Sequence, residues 1–369
     1  MRFITADYLY PLYTNPIKQG VLQISDSGEV IAIFEKREEI SNNNLEIFDG
    51  ILCPGFVNSH CHLELSHLTG HIEKGKGFLN FVGAVQKRNN FSQKKIKEAI
   101  IKAEQQMIKN GIVAVGDICN TADTIFQKKK GNLKYYNFIE VFGVQNKLRN
   151  QIIMRAKALQ NKFRQAEQKA TISPHAPYSV PPKLMSDINL SFDNKDSLIT
   201  IHMQETHHEN KLFQNKEGVL KTWLENKKAS PEIWSIRQRA VDVLEELEAG
   251  KIMLVHNTFT QKEDLTDNYY CTCPNANLYI ESTLPDYSIF DADKLCVGTD
   301  SLASNKCLSI LEEILVIKEN SNFDLNTLLK IASKNGAEAL GFANLGTFEK
   351  GKIPGVNLIS GLKKVSVIA

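Results

Sequence analysis

No apolar run in this 369-residue sequence approaches the roughly 18 to 20 residues that a membrane-crossing helix needs. The opening MRFITADYLYPLY also lacks the charged start, long apolar stretch and small-residue cleavage site of a secretory leader. A cytoplasmic location is therefore expected, with no membrane as a partner. Neither sign of charge is in real excess. The 44 Lys and Arg against 42 Asp and Glu leave about +2, which gives no global pull toward nucleic acid. The lysine clusters Lys94-Lys95 and Lys128-Lys129-Lys130 read as solvated helix ends or loops. Cysteines are few; the seven are scattered and odd in number, which fits reduced thiols rather than a disulfide framework. Cys271 and Cys273 have no second pair at metal-ligand spacing, so a packed strand is their simpler reading. Internal repeats and low-complexity tracts are missing too. What remains is ordinary globular composition, 42% apolar and 23% charged, in a chain long enough for one large domain or two modest ones.

The pattern along the chain is more informative. The first 50 residues read as short strands and turns, with Ser27-Gly28 at a hairpin tip in GVLQISDSGEVIAIFE. After Gly55, β-rich runs alternate with longer helical patterns. The runs cover 51–59, 111–119, 135–144, 170–179, 198–206, 251–259, 269–277 and 295–303. Between them, Ile96, Ile100, Ala103 and Met107 recur at helical spacing up to Gly111, and 237–249 and 324–341 behave similarly. Eight β/α units predict an α/β fold with a closed TIM-type (β/α)₈ barrel over 51–345. The closing GTFEKGKIPGVNLISGL returns to strand and turn. Residues 1–50 and 346–369 are expected to form one small, β-sandwich-like domain from both chain ends.

In such barrels the reactive groups sit at the C-terminal ends of strands. NSHCHLELSHL, residues 58–68, ends the first run on His60 and His62, which a strand would point to the same side. The fourth run offers His175 in SPHAPYS, the fifth His202 and then Glu205, the sixth His256, the eighth Asp300. Taken singly, each histidine is more simply a hydrogen-bonded core residue. Metal-competent side chains at the ends of five of eight apolar strands are not readily a chance pattern. His60, His62, His202 and Asp300 together supply three imidazoles and a carboxylate, a set suited to Zn²⁺ and also to Fe²⁺. A metal held this way would lower the pKa of a bound water to about 7. Asp300 is then placed to take the water's proton, His256 to orient the water, and Glu205 to pass a proton to substrate.

The pieces PGFVNSHCHLELS, HMQET, LVHNTF, CPNANLYI and VGTDSLASN, in this order, resemble the amidohydrolase superfamily, specifically its deaminase and chlorohydrolase branch. The resemblance covers residues 50 to about 350. It implies the same four ligands, with Glu205 as proton shuttle to the ring nitrogen under attack, His256 polarising the water and Asp300 accepting its proton. No lysine stands at the end of the fourth strand, where binuclear relatives carry a carbamylated one, so one divalent ion is implied. Asn357 stands where relatives usually have aspartate.

The implied reaction is hydrolytic deamination of an electron-poor ring. Glu64, two residues past His62, is a candidate for binding a ring N–H or a ribose hydroxyl, or else a charged loop residue. His175 and Tyr178 are candidates to contact the ring. His67, His71, His207 and His208 read as surface or supporting residues. HLELS and PHAPYS are similar to bacterial aminofutalosine deaminases of the menaquinone route, which implies a 6-aminopurine nucleoside as small-molecule substrate. Deaminases of methylthioadenosine/S-adenosylhomocysteine or guanine, triazine-type chlorohydrolases and a catalytically silent metal-binding scaffold are the alternatives; a scaffold has no need of Glu205. A homodimer is compatible with the composition. Phe213, Trp223 and Trp234, between the fifth and sixth runs, are candidates to cover an extended substituent.

Overall fold

The computed structural model describes residues 1–37, 40, 45–193 and 197–369. Eight parallel strands form its centre: Phe56–Cys61, Ile112–Cys119, Lys134–Val141, Ala170–Pro174, Leu198–Met203, Lys251–His256, Tyr269–Thr272 and Leu295–Val297. They pair in chain order as two four-stranded sets. Backbone bonds close the ring. His202 N donates to His175 O at 2.8 Å, and Thr299 N and Asp300 N both donate to His60 O at 3.1 Å. A (β/α)₈ barrel results, as the eight alternations predicted.

The first strand is where the ring is tightest. A side chain on Gly298 would put a Cβ 2.6 Å from His60 O, and one on Gly116 would meet Ser59 O. Glycines on both neighbours let two strands close on the stretch that carries the paired histidines. The helix Gln93–Lys109 buries Ile96, Ile100, Ala103 and Met107, the stripe read from spacing, and Ser92 Oγ caps it by accepting from Lys95 N. No helix among the described residues is long and apolar enough to cross a membrane.

Both chain ends build two small sheets. In order, one contains Val30–Phe34, Val21–Ile24, Arg2–Thr5 and Leu45–Ile47; the other contains Lys364–Val367, Val356–Ser360, Ile51–Pro54, Tyr8–Leu9 and Ile17–Lys18. Ile4, Leu22, Ile24 and Val30 of the first share an apolar core with Leu9, Leu52, Val356 and Leu358 of the second. The expected hairpin is present, with Gly28 at φ +82° in its turn.

Four expectations need correction. The run 51–59 is two strands: Ile51–Pro54 pairs with Val356–Ser360 and Tyr8–Leu9 in the small sheet, and only Phe56–Cys61 enters the barrel. Gly55 marks the break, packed so closely that a Cβ there would lie 2.7 Å from Pro354 O. Within 237–249 only a 3₁₀ helix forms, Ala240–Glu246, because the buried Arg237 guanidinium ties Glu246 to the carbonyls of Pro177 and Val180. The 324–341 helix is interrupted by a π turn at Lys330–Lys334. Lys128 is not solvated. It is 1% exposed, ion-paired with Asp117 and 2.6 Å from Asn137 Oδ1.

Candidate active site

The first strand ends on His60 and His62, the fifth on His202 and the sixth on His256, while Asp300 sits in the turn after the eighth. Gln204 (φ +47°), His256 (φ +71°), Asn257 (φ +54°) and Asp300 (φ +53°) adopt left-handed backbone angles that non-glycine residues rarely take. Such strain at strand ends is held by the surrounding barrel and turns side chains inward.

The donor atoms converge. His62 Nε2 lies 3.4 Å from His202 Nε2 and 3.4 Å from Asp300 Oδ1, and His60 Nε2 lies 3.7 Å from the same oxygen. Ligands about 2.1 Å from a tetrahedral ion would be about 3.4 Å apart. Both ring nitrogens of His60 are buried without a hydrogen-bond partner among the described residues. An orphaned imidazole between two others and a carboxylate is the expected state of a ligand set. A divalent metal-binding site is thus present, formed from His60, His62 and His202 and from His60, His256 and Asp300.

Neighbours orient these donors. His202 Nδ1 is 2.8 Å from His175 O, which leaves Nε2 for the cluster, and His256 Nδ1 is 2.9 Å from Asn277 Oδ1. Ser304 Oγ donates to Asp300 Oδ2. Such supporting bonds fix the tautomer and aim of each group. A third group of candidate donors, Glu140, His175 and His202, shares His202 with the first. His202 Nδ1, which lies 3.6 Å from Glu140 Oε1, is also 2.8 Å from His175 O.

Glu205 stands beside the cluster, its Oε1 3.6 Å from His256 Nε2. Burial pushes its carboxyl up to about 8, against the opposing pull of His202. Burial thus favours its protonated form. Burial also pushes His175 down to about 4. Glu140 goes the other way: burial raises it, but His175, His202 and His62 outweigh that and hold it at about 2.

A cavity of about 320 Å³ opens onto these groups, within the range of small-molecule sites, roughly 300–1,000 Å³. His62, His202, Glu205, His256 and Asp300 line its floor, and His175 and Tyr178 its side. Tyr178 is buried, its hydroxyl has no partner among the described residues, and its ring meets those of Phe78 and His175 at 5.9 and 5.8 Å. Helix Phe78–Val85 forms much of the roof. Trp223 lines the cavity, whereas Phe213 and Trp234 are buried in the core.

Glu64 is placed differently from expectation. Its Oε2 accepts from Asn120 N, Thr121 N and Thr121 Oγ1 at 3.1, 2.9 and 2.8 Å, and its Oε1 from Arg88 Nη1 at 3.3 Å. With both oxygens engaged beneath Arg88, it is not part of the cavity lining. Glu140, Asn277, Ser304 and Arg88 join the site in the structure without being candidates in the sequence. Glu140 lies near the end of the third run, YYNFIEV, so the same strand-end rule could have found it; Asn277 and Ser304 lie in the pieces CPNANLYI and VGTDSLASN that carry the resemblance, and nothing in the sequence alone marks Arg88.

Residues 51–368 match the amidohydrolase family, and the chain belongs to it. It is 27% identical over 316 residues to an adenosine deaminase of Helicobacter pylori, covering 80% of this chain and 76% of that protein. A 5′-deoxyadenosine deaminase of Methanosphaera stadtmanae is 23% identical over 367 residues, covering 90% and 81%. Among solved structures, Helicobacter pylori aminofutalosine deaminase in complex with methylthio-coformycin superposes with a TM-score of 0.83 at 22% identity, covering 99% of this chain and 94% of that one.

Proposed function

We propose that this chain hydrolytically deaminates a 6-aminopurine nucleoside, with an aminofutalosine-type nucleoside preferred and Zn²⁺ as the resident ion. The carrying observation is Glu205, a buried carboxyl raised to about 8 and set 3.6 Å from His256 beside the metal donors. Proton donor and water-activating groups thus face one cavity. The relatives named for adenosine, 5′-deoxyadenosine and aminofutalosine support the substrate class.

A divalent ion held by His60, His62, His202 and Asp300 would supply Lewis acidity and a water with its pKa lowered to about 7. Asp300 accepts the proton of the attacking water. His256, fixed by Asn277, orients that water. Glu205 delivers its proton to the ring nitrogen next to the reacting carbon, N1 of an adenine, which makes the carbon electrophilic and offsets charge developing in the transition state. In the tetrahedral adduct Asp300 returns its proton to the amino group, the C6–N bond breaks and ammonia leaves, while Glu205 takes up the hydroxyl proton as the product carbonyl forms. His175 and the unpartnered Tyr178 hydroxyl hold the base, and the roof residues exclude bulk water. The test is ammonia release by metal-loaded protein across free bases and nucleosides. Turnover of 6-aminopurine nucleosides well above free adenine is expected; turnover of guanine alone would overturn the reading.

A further inference from the structure

Glu205 lines the cavity, and His256 Nε2 stands 3.6 Å from its Oε1, beyond hydrogen-bond length. Its aim is therefore set by the backbone beneath it. That backbone turns at Gln204, whose φ of +47° is left-handed and whose side chain is buried, 1% exposed. Gln204 O accepts from Phe259 N at 3.0 Å, beside the bond from Asn257 N to Met203 O at 3.0 Å. The side chain adds three bonds. Nε2 donates to Asp264 Oδ2 at 2.7 Å and to Asn210 Oδ1 at 2.9 Å, and Oε1 accepts from Thr260 Oγ1 at 2.7 Å. A carboxylate only accepts, so Asp264 decides which end of the amide faces it. The partners are held in turn. Asn210 Nδ2 donates to Phe259 O at 3.0 Å, and Arg239 Nη1 to Asp264 Oδ1 at 3.3 Å. Thr260 and Asp264 belong to the loop that follows His256, and Asn210 to the helix His207–Asn215 that follows Glu205.

We infer that Gln204 is a positioning residue: its amide clamps the turn that carries Glu205 to the loop after His256, and so sets the proton donor against the water-orienting group. This rests on the deaminase reading above and deepens it. The strand ladder between the two turns ends at Met203 and His256. Beyond it the chain leaves both strands through left-handed residues, Gln204 on one side and His256 and Asn257 on the other, so neither direction follows from the ladder. There the two turns are related by Gln204 and its partners. A hydrocarbon side chain of the same length would fill the space, but it would leave the buried Asp264, Thr260 and Asn210 groups short of a bond and the Glu205 turn untied. The clamp touches neither substrate nor metal donors. It acts through Glu205, and its effect belongs to the transition state, where the proton is delivered.

The test deletes the clamp in one variant and reverses its polarity in another. Gln204→Met keeps length and loses all three bonds. It should lower kcat for a 6-aminopurine nucleoside by about ten- to a hundredfold, the scale of a roughly 1 Å misplacement of a reacting group. KM should stay within about threefold, and metal near one equivalent, as for an interaction made in the transition state. In the double variant Gln204→Glu with Asp264→Asn, an amide donates to a carboxylate in the opposite sense while its carbonyl still accepts from Arg239. This variant should keep kcat within about fivefold of the unaltered protein. Thr260→Val, nearly equal in shape, removes a single bond and should lower kcat about three- to tenfold with KM kept; it decides the matter if the larger changes do not fold. Purine riboside, which has no amino group to lose, reads the same placement by calorimetry. Its water adduct needs the same proton on the ring nitrogen, so its affinity should fall in Gln204→Met and be kept in the double variant. Unchanged kcat in Gln204→Met or Thr260→Val, loss of metal together with kcat, or a folded double variant as slow as Gln204→Met would each overturn the assignment. Failure of the unaltered protein to release ammonia from any 6-aminopurine nucleoside would instead overturn the deaminase reading. The clamp would still be read by Tm, which Gln204→Met should lower and the double variant keep; equal Tm in both would remove it.

Discussion

The floor and the roof of the cavity are built by different rules. Floor groups stand at strand ends, fixed by barrel pairing: His60, His62, His202, His256 and Asp300 are all at most 8% exposed. Each has little freedom, and the donor separations of 3.4–3.7 Å are those an ion would need. The roof is made of connecting segments, the helix Phe78–Val85, the Arg88 turn and Trp223, and most of its side chains are only half-buried. A rigid floor suits chemistry, where small displacements are costly. A roof on loops can change its contacts without disturbing the ligands. The difference implies that floor changes act on turnover and roof changes on substrate choice.

The largest effect should come from emptying the floor. Chelation should abolish ammonia release, and readdition of Zn²⁺ should restore it, with about one equivalent by elemental analysis. Two equivalents would contradict the single-centre reading of the donor set. Next comes the support beneath the floor. Lys128 pairs with Asp117, whose Oδ1 accepts from Leu63 N at 2.8 Å, one residue past His62. Lys128→Met leaves Asp117 buried and unpaired, and the cost expected from denaturant unfolding is about 3–5 kcal/mol. A change near zero would mean that this charge does not hold the first-strand loop. In the roof, Trp223→Ala should raise KM by about three- to tenfold with kcat largely kept, the signature of lost uniform binding. A collapse of kcat with KM unchanged would dissolve the distinction between floor and roof.

The smallest effect lies outside both. Glu313 is fully buried, accepting from Asn275 N at 2.9 Å and Asn305 Nδ2 at 2.7 Å, and burial raises its carboxyl to about 7. The folded state then keeps a proton that the unfolded chain releases at its ordinary carboxylate pKa near 4.5. Stability should therefore fall as pH rises from about 4.5 to about 7 and level off above. Glu313→Gln should flatten that part of the Tm–pH profile; an unchanged slope would assign the dependence to other groups.

The floor was legible in the sequence because a strand-end rule needs only period and polarity. His60 and His62 follow an apolar run at i and i+2, and His202, His256 and Asp300 end others. Glu140 obeys the same rule. Of the roof only Trp223 is a candidate from sequence; the rest is illegible because contacts there join residues far apart in sequence with no shared period: Glu64 meets Arg88 and Thr121, and His67 meets the Arg88 carbonyl. Glu64 looked like a cavity residue because it follows His62 by two, but the chain has already left the strand and entered the 3₁₀ turn Leu63–Leu68. Lys128 reads as solvated from sequence because its partner Asp117 lies on the second barrel strand, and a run of three lysines carries no sign of that. The break at Gly55 was hidden by apolar residues on both sides of it.

The account depends most on Glu205 as a proton donor to substrate that is not a ligand. The direct measurement is metal content and kcat/KM of Glu205→Gln beside the unaltered protein, with a 6-aminopurine nucleoside. About one equivalent of metal in both, with turnover reduced at least about a hundredfold in the variant, is the expected result. Near-normal turnover, or loss of the metal along with activity, would contradict it.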